Sequence, residues 1–217
     1  MNNPSEISPR EKLASLLALF PDGPFREDDF ELIEPQDMPA VYRNLLEHHH
    51  HMTVTLETRH GGALLLHVLE SRQRDDEYSR LLRLSVGASE ANVANDANLT
   101  SAVASGRDPE ARARRIVLAG IMNIRLRHCG DSVRSHITRG DRPLGRILIE
   151  NEVLRWIETE AYLRVSLRSA ALRDLFGASE SQPVTFGRIA TIHCNNEPAV
   201  ELLEIVAPEN RKDSEGT

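Results

Sequence analysis

The chain has 217 residues, of which 40% are hydrophobic, and a formal net charge of −7 at pH 7. This length and composition predict one domain with one hydrophobic core. The acidic balance argues against nucleic-acid binding as the main function. No apolar run reaches the ~20 residues of a membrane helix, and the N-terminal sequence lacks the apolar core of a signal peptide. We therefore expect a cytoplasmic protein with neither a membrane nor a nucleic-acid partner.

Two cysteines and a run of histidines are the first candidates for metal ligands. Cys129 and Cys194 form neither a disulfide framework nor a zinc motif, and we expect both to be buried and reduced. Four histidines occupy residues 48–51, but on a helix only His48 and His51 share a face. No cluster of acids or cysteines completes a site near them. We expect these histidines to lie at a helix end and the rim of a site, without a metal.

The predicted elements follow one another with mostly short connections. Residues 1–10 are expected to be disordered, with Ser8 and Pro9 opening the first helix. The pattern predicts helices at residues 11–19, 39–51, 131–139 (capped by Asp131 or Ser132) and 169–176 (ended by Gly177), and the start of another at 144. It predicts strands at residues 52–57, 63–70, 78–86, 115–126, 161–167, 184–193 and 199–206.

The remaining segments have no periodicity. Residues 25–37 are acidic and irregular, residues 87–110 are expected to form a mobile insertion, and residues 209–217 a disordered tail. The order of elements predicts an α+β fold, in which one antiparallel sheet carries peripheral helices within a single domain at residues 11–208.

Two charged pairs interrupt apolar strands. The last strand, predicted to be covered on both faces, contains Glu201 and Glu204; because side chains alternate along a strand, these two point to opposite faces. Arg80 and Arg83 are also three residues apart. Arg80 shares its face with Leu82 and other apolar residues, so Arg83 is expected to face solvent. A buried charge needs a counter-charge. These strands therefore predict a pocket in which an arginine binds an anion and a carboxyl group of the protein also lies.

Four stretches, in this order and with this spacing, resemble the chorismate pyruvate-lyase family, most closely its relatives once grouped as a domain of unknown function. The similarity covers about residues 40–208, and the 87–110 insertion departs from the compact family members. The stretches are His51-Met52-Thr53 with Leu56-Glu57, Tyr78-Ser79-Arg80-Leu81-Leu82, Arg142-Pro143-Leu144-Gly145-Arg146-Ile147-Leu148, and Phe186-Gly187-Arg188 with Glu204-Ile205-Val206-Ala207-Pro208.

The resemblance implies a chorismate lyase-like fold and a cofactor-free lyase that converts chorismate to 4-hydroxybenzoate and pyruvate. The 4-hydroxybenzoate would be a precursor for ubiquinone or secondary metabolites. Arg80 matches the arginine that binds a substrate carboxylate, and the main-chain amides of Met52 and Leu144 match those that bind the product. Glu204 matches the acid near the ring hydroxyl, four residues before a proline, although one inserted residue leaves Glu201 as an alternative. Aromatisation drives the reaction, so we expect no metal and no redox cofactor.

Further residues of these stretches are candidates for the same site. Pro143 and Gly145 flank Leu144, and this pair suits a sharp turn that exposes the Leu144 amide. Arg142 and Arg188, together with Arg146, either line the anionic site or pair with the many acidic residues. Trp156 is interpreted as a core residue.

Two other functions fit the same resemblance. One is a non-catalytic domain that binds a small aromatic carboxylate, as in the ligand-sensing domains of bacterial regulators; the short acidic segment before the core disfavours an attached DNA-binding module. The other is a lyase with altered substrate or regiochemistry in secondary metabolism. Which hydroxybenzoate is made, and whether the chain is a monomer or a homodimer, stays open at this level.

Overall fold

The computed structural model describes residues 7–47, 52–87 and 114–209. Within these ranges seven strands form one sheet, in which every neighbouring pair is antiparallel, in the order β1-β5-β6-β7-β4-β3-β2. The strands are β1 Phe30–Ile33, β2 Leu64–Arg74, β3 Glu77–Gly87, β4 Arg114–Arg125, β5 Arg155–Ser166, β6 Val184–Cys194 and β7 Glu197–Val206. The helices are α1 Pro9–Ala18, α2 Ala40–Leu46, α3 Met52–His60, α4 Asp131–Arg139, α5 Leu144–Glu150 and α6 Ala170–Phe176.

Helices cover the sheet on both faces, and each face has its own apolar core. On one face, buried side chains of the sheet pack with those of α2, α3, α4 and α5. On the other face, they pack with those of α1 and α6. The central strand β7 contributes Leu202 to the first core and Leu203 to the second. The predicted α+β fold with a single antiparallel sheet is therefore confirmed, as is the expectation that this strand is covered on both faces.

Local signals explain where several elements begin and end. Ser8 caps α1 through a capping box with Glu11. Gly177 follows α6 with a left-handed φ of 64°, which a residue without Cβ adopts at little cost. The β6–β7 hairpin turns at Asn195 and Asn196, whose φ angles of 52° and 67° suit the tight turns that match strand twist. The predicted start of a helix at Ser8 and Pro9 and the predicted helix end at Gly177 are therefore confirmed.

Other predicted elements are wrong. Residues 52–57 begin the helix α3, in which Met52, Thr53 and Leu56 are buried on one side, and are not a strand. The helix predicted at residues 39–51 ends at Leu46, and residues 48–51 lie outside the described residues. The acidic segment at residues 25–37 contains the short strand β1, which pairs with β5.

Smaller corrections concern boundaries. The strand predicted at residues 161–167 starts earlier, at Arg155, and α4 is preceded by Gly130 at its N-cap position in place of Asp131 or Ser132. Residues 9–10, predicted to be disordered, are helical. At the other end, the main-chain N–H of Glu209 donates to the Tyr42 hydroxyl at 2.9 Å. The predicted insertion at residues 87–110 and the rest of the predicted tail lie outside the described residues, apart from Gly87 at the end of β3. No helix in the described part of the chain is long and apolar enough to cross a membrane.

Candidate ligand-binding site

A cavity lies between the sheet and the N-terminal ends of helices α3 and α5. It contains about 440 Å³ of empty space, including solvent at its mouth. The sheet provides mostly apolar walls, made by Leu66, Leu82, Leu84, Met122, Ile157 and Ile192. The helices and the turn before α5 provide Met52, Thr53, Pro143, Leu144 and Gly145. Two charged side chains, those of Arg80 and Glu204, also line it. Such an enclosure favours a mostly apolar ligand with a few charged or polar groups.

Arg80, on β3, is the unusual residue of this cavity. Its side chain has 0% exposure, yet its Nε and Nη1 atoms have no hydrogen-bond partner within the described residues. Nη2 lies 3.6 Å from Sδ of Met122, which is a weak acceptor. Burial lowers the pKa of the Arg80 guanidinium to about 10. A buried cation without a counter-charge is costly, so this group has unused capacity to bind an anion.

Glu204, on β7, lies opposite Arg188 of β6 and forms a buried ion pair with it. Arg188 Nε and Nη2 donate to Glu204 Oε2 at 2.9 and 2.8 Å. Arg188 Nη1 donates to the main-chain carbonyl of Leu46 at 2.9 Å. Glu201 lies on the other face of the sheet, where Arg125 donates to it at 2.7 Å. The alternative that the sequence left open is therefore resolved: Glu204, and not Glu201, faces the cavity.

The sheet register relates the two charged groups. Arg80 pairs with Met122 of β4, and Glu204 pairs with Gly120 of the same strand, so both side chains rise on the same face of the sheet. Two strand spacings and an offset of two residues place their Cα atoms roughly 12 Å apart. The two groups therefore line the same apolar cavity. The Arg80 guanidinium has no anionic partner among the described residues, whereas the Glu204 carboxylate is ion-paired.

The helices present backbone groups to the cavity. Met52 and Leu144 are the first residues of α3 and α5, and both line the cavity. The first N–H groups of a helix have no partner within the helix, so they are available to other acceptors. The structure therefore brings together Arg80, Glu204 and the three helix-turn candidates that the sequence named: Met52, Leu144 and Gly145.

The other predicted arginines do not line the cavity. Arg142 is exposed and pairs with Glu150 at 2.6 Å. Arg146 pairs with Glu57, and Arg188 pairs with Glu204. The structure thus favours the second sequence interpretation, in which these three arginines pair with acidic residues.

Two further expectations need correction. Trp156, interpreted as a core residue, is 47% exposed and stacks on the ring of His193 with centroids 3.8 Å apart. Arg83, expected to face solvent, is half-buried, and its Nε is enclosed without a partner among the described residues. The second face of the sheet is packed as well, so side chains on it are less exposed than the simple alternation predicted. Both cysteines are buried and free, as expected.

The apolar wall of the cavity is the part of the site that sequence reasoning missed. Met122, Ile157 and Ile192 come from three strands, and nothing in their own sequence context separates them from core residues. Leu82 and Leu84 had a usable signal, since they share the face of Arg80. No group of three or more potential metal-ligating side chains occurs within residues 7–47, 52–87 and 114–209.

Comparisons with known proteins give little beyond this geometry. No family model matches the chain, and no curated protein matches it. Among solved structures, the crystal structure of PhnF from Mycobacterium smegmatis is similar, with a TM-score of 0.39 and 8% sequence identity. The match covers 72% of this chain and 63% of that chain, so the chain spans less than two thirds of PhnF. A similarity at this level carries no information about ligand or activity.

Proposed function

We propose that this protein is a chorismate pyruvate-lyase of the chorismate lyase-like fold, acting without a cofactor to form 4-hydroxybenzoate and pyruvate. The observation that carries the proposal is Arg80: a fully buried guanidinium without an anionic partner in the described part of the chain, at the side of an apolar cavity. A guanidinium fork pairs bidentately with a carboxylate. The apolar walls suit the six-membered ring that carries this carboxylate in both substrate and product.

The reaction requires one proton transfer and one bond cleavage. A base removes the proton at C4 of the chorismate ring, and the C3–O bond to the enolpyruvyl group breaks as the ring becomes aromatic. The departing enolate takes up a proton at its methylene carbon and becomes pyruvate. The atoms of 4-hydroxybenzoate and pyruvate together equal those of chorismate, so no oxidant or co-reactant is needed.

Glu204 is the proposed base. Its Oε2 atom accepts from two guanidinium nitrogen atoms of Arg188, which orient the carboxylate. A carboxylate accepts protons and hydrogen bonds but donates neither. Glu204 is therefore suited to take the C4 proton or to accept a hydrogen bond from the product hydroxyl.

The decisive experiment is incubation of purified protein with chorismate after treatment with a chelator. Pyruvate release is followed with lactate dehydrogenase, and the aromatic product is identified by mass and retention time. We expect 4-hydroxybenzoate and pyruvate in equal amounts, with turnover reduced at least 100-fold in Arg80→Ala. Arg142→Ala is the matched control, because this exposed arginine lies outside the cavity. Absence of pyruvate at high protein concentration would reject the lyase.

The second candidate is a non-catalytic domain that binds a small aromatic carboxylate. The contacts of Glu204 favour this candidate. A carboxylate that accepts two hydrogen bonds from a guanidinium group suits the recognition of a hydroxyl group at least as well as proton transfer. This candidate predicts calorimetric binding of 4-hydroxybenzoate that Arg80→Ala weakens, with no pyruvate released from chorismate. The two candidates therefore differ in the turnover experiment and agree in the binding experiment.

A further inference from the structure

Arg188 is a buried charged residue that the proposed reaction does not use directly. It has 0% exposure and does not belong to the cavity wall, yet it touches Glu204, which does. We infer that Arg188 is a positioning residue that fixes the Glu204 carboxylate at the cavity and ties it to the end of helix α2. This inference rests on the proposed function only where it assigns Glu204 to the reacting end of the ligand.

The contacts of Arg188 define this role. Two of its nitrogen atoms, Nε and Nη2, converge on the same oxygen, Oε2 of Glu204, at 2.9 and 2.8 Å. Charge-assisted contacts from a planar guanidinium restrict the orientation of the carboxylate as well as stabilising its charge. The side chain of Glu204 is only 7% exposed, so its orientation is set by the groups that pack against it. Without Arg188, Glu204 would lose both of these contacts.

The third contact links this pair to the helices. Arg188 Nη1 donates to the carbonyl of Leu46, the last residue of α2, at 2.9 Å. Carbonyl groups at a helix C-terminus lack partners within the helix and carry partial negative charge, so they suit a guanidinium. The same side chain thus ties β7, which carries Glu204, to the helix that precedes α3 and its cavity-lining residue Met52.

A purely structural role makes a different prediction. A buried ion pair contributes little net stability, and replacing both partners with neutral side chains is often tolerated. If Arg188 served packing alone, its loss would lower stability and weaken the binding of all ligands alike. The relative affinity of ligands with and without a hydroxyl group is therefore the informative measurement, because it responds to the position of the Glu204 carboxylate.

The experiment is calorimetric binding of benzoate and of 4-hydroxybenzoate to the full chain at pH 7. Benzoate needs only Arg80, whereas 4-hydroxybenzoate also offers a hydroxyl group to Glu204. In Arg188→Met we expect the affinity of 4-hydroxybenzoate relative to that of benzoate to fall about tenfold, because a displaced carboxylate makes a poorer hydrogen bond with the hydroxyl group. Equal affinity ratios in wild type and Arg188→Met would overturn the inference.

Two further variants guard against a misfolded protein. Arg188→Lys keeps the positive charge but cannot make the forked contact, so we expect a smaller fall of the affinity ratio. Arg188→Met with Glu204→Gln removes both charges and should fold even where Arg188→Met alone does not; its affinity ratio should equal that of Glu204→Gln. If Arg188→Met fails to fold, the ratio in Arg188→Lys decides, and an unchanged ratio there overturns the inference.

The affinity ratio does not depend on turnover. A wild type that releases no pyruvate would reject the proposed lyase, while the affinity ratio would still decide the role of Arg188. A wild type that binds benzoate and 4-hydroxybenzoate equally well would overturn the inference, because Glu204 would then not recognise the hydroxyl group.

Discussion

Replacing Arg80 with methionine should stabilise the ligand-free protein and remove ligand binding at the same time. The guanidinium is fully buried, and burial lowers its pKa well below the ordinary value of arginine, to about 10. At 1.36 kcal/mol per pH unit, desolvation of the charged form costs about 3 kcal/mol. This cost is fully present at every pH below about 10, and it disappears as the pH rises above the ordinary pKa of arginine. At pH 7 the whole penalty is therefore relieved by a neutral side chain.

Arg80→Met keeps an apolar side chain of similar length and removes the charge. We expect a gain of about 3 kcal/mol in the free energy of unfolding; for a chain of this size this corresponds to a rise in Tm of roughly 6–12 °C. Binding of 4-hydroxybenzoate should weaken at least about 10-fold, because a charged hydrogen-bonded pair is worth about 1.5–3 kcal/mol. Stability is measured by chemical and thermal unfolding, and affinity by calorimetry at pH 7.

The control is Arg142→Met, which removes an exposed arginine paired with Glu150. Exposed ion pairs contribute about 0–1 kcal/mol, so both stability and affinity should stay near wild-type values. The reasoning is refuted if Arg80→Met is less stable than the wild type in the absence of ligand, or if it binds 4-hydroxybenzoate as tightly. The first result would mean that Arg80 has a strong partner in the ligand-free protein, and the second that Arg80 does not bind the ligand carboxylate.

Three further expectations follow from the structure. Glu204→Gln should lower lyase turnover at least about 100-fold, since it removes the proposed base, while benzoate affinity stays within threefold; a loss of under tenfold would exclude Glu204 as the base. Gly120→Ala should lower the free energy of unfolding by at least about 2 kcal/mol, because a Cβ there overlaps the main-chain carbonyl of Leu203 on the neighbouring strand; wild-type stability in urea would contradict that close approach. Burial raises the pKa of Cys129 and raises that of Cys194 to about 11. Both thiols should therefore be neutral and unreactive towards Ellman's reagent at pH 8 until the chain is unfolded, and rapid labelling of the native protein would contradict their burial.

The fold was predictable where local signals agree with tertiary packing. The β6–β7 hairpin combines two apolar runs with a turn at Asn195 and Asn196, which accept the positive φ that the turn requires. Residues 52–57 failed for the opposite reason. Met52, Val54 and Leu56 alternate as in a strand, but the structure buries Thr53 and leaves Val54 42% exposed. A stretch of six residues with three β-branched side chains satisfies both periods, and only packing against the sheet selects the helix.

The charged residues of the site could be predicted from the sequence, but the ion pair between Glu204 and Arg188 could not. An arginine among apolar residues on one strand face already indicates a buried cation, and Arg80 is fully buried. Alternation separated Glu201 from Glu204 but could not select between them, because helices cover both faces of the sheet and either face was able to hold a cavity. The pairing of Glu204 with Arg188 depends on the register of β6 against β7, which the hairpin turn sets. Sequence periodicity does not fix that register to a single residue.

The charges and the apolar walls of the cavity together predict which product leaves last. Counting Arg80 and the Arg188–Glu204 pair, the charged groups at the cavity within the described residues sum to one positive charge. Chorismate carries two carboxylates and exceeds this charge by one, whereas each product carries one and matches it, so excess negative charge favours the release of one product. The apolar walls select pyruvate as the product released, because they bury the ring of 4-hydroxybenzoate and pyruvate has no ring. We expect 4-hydroxybenzoate to inhibit chorismate turnover competitively and far more strongly than pyruvate does; equal inhibition by the two products would show that Arg80 does not distinguish the ring carboxylate.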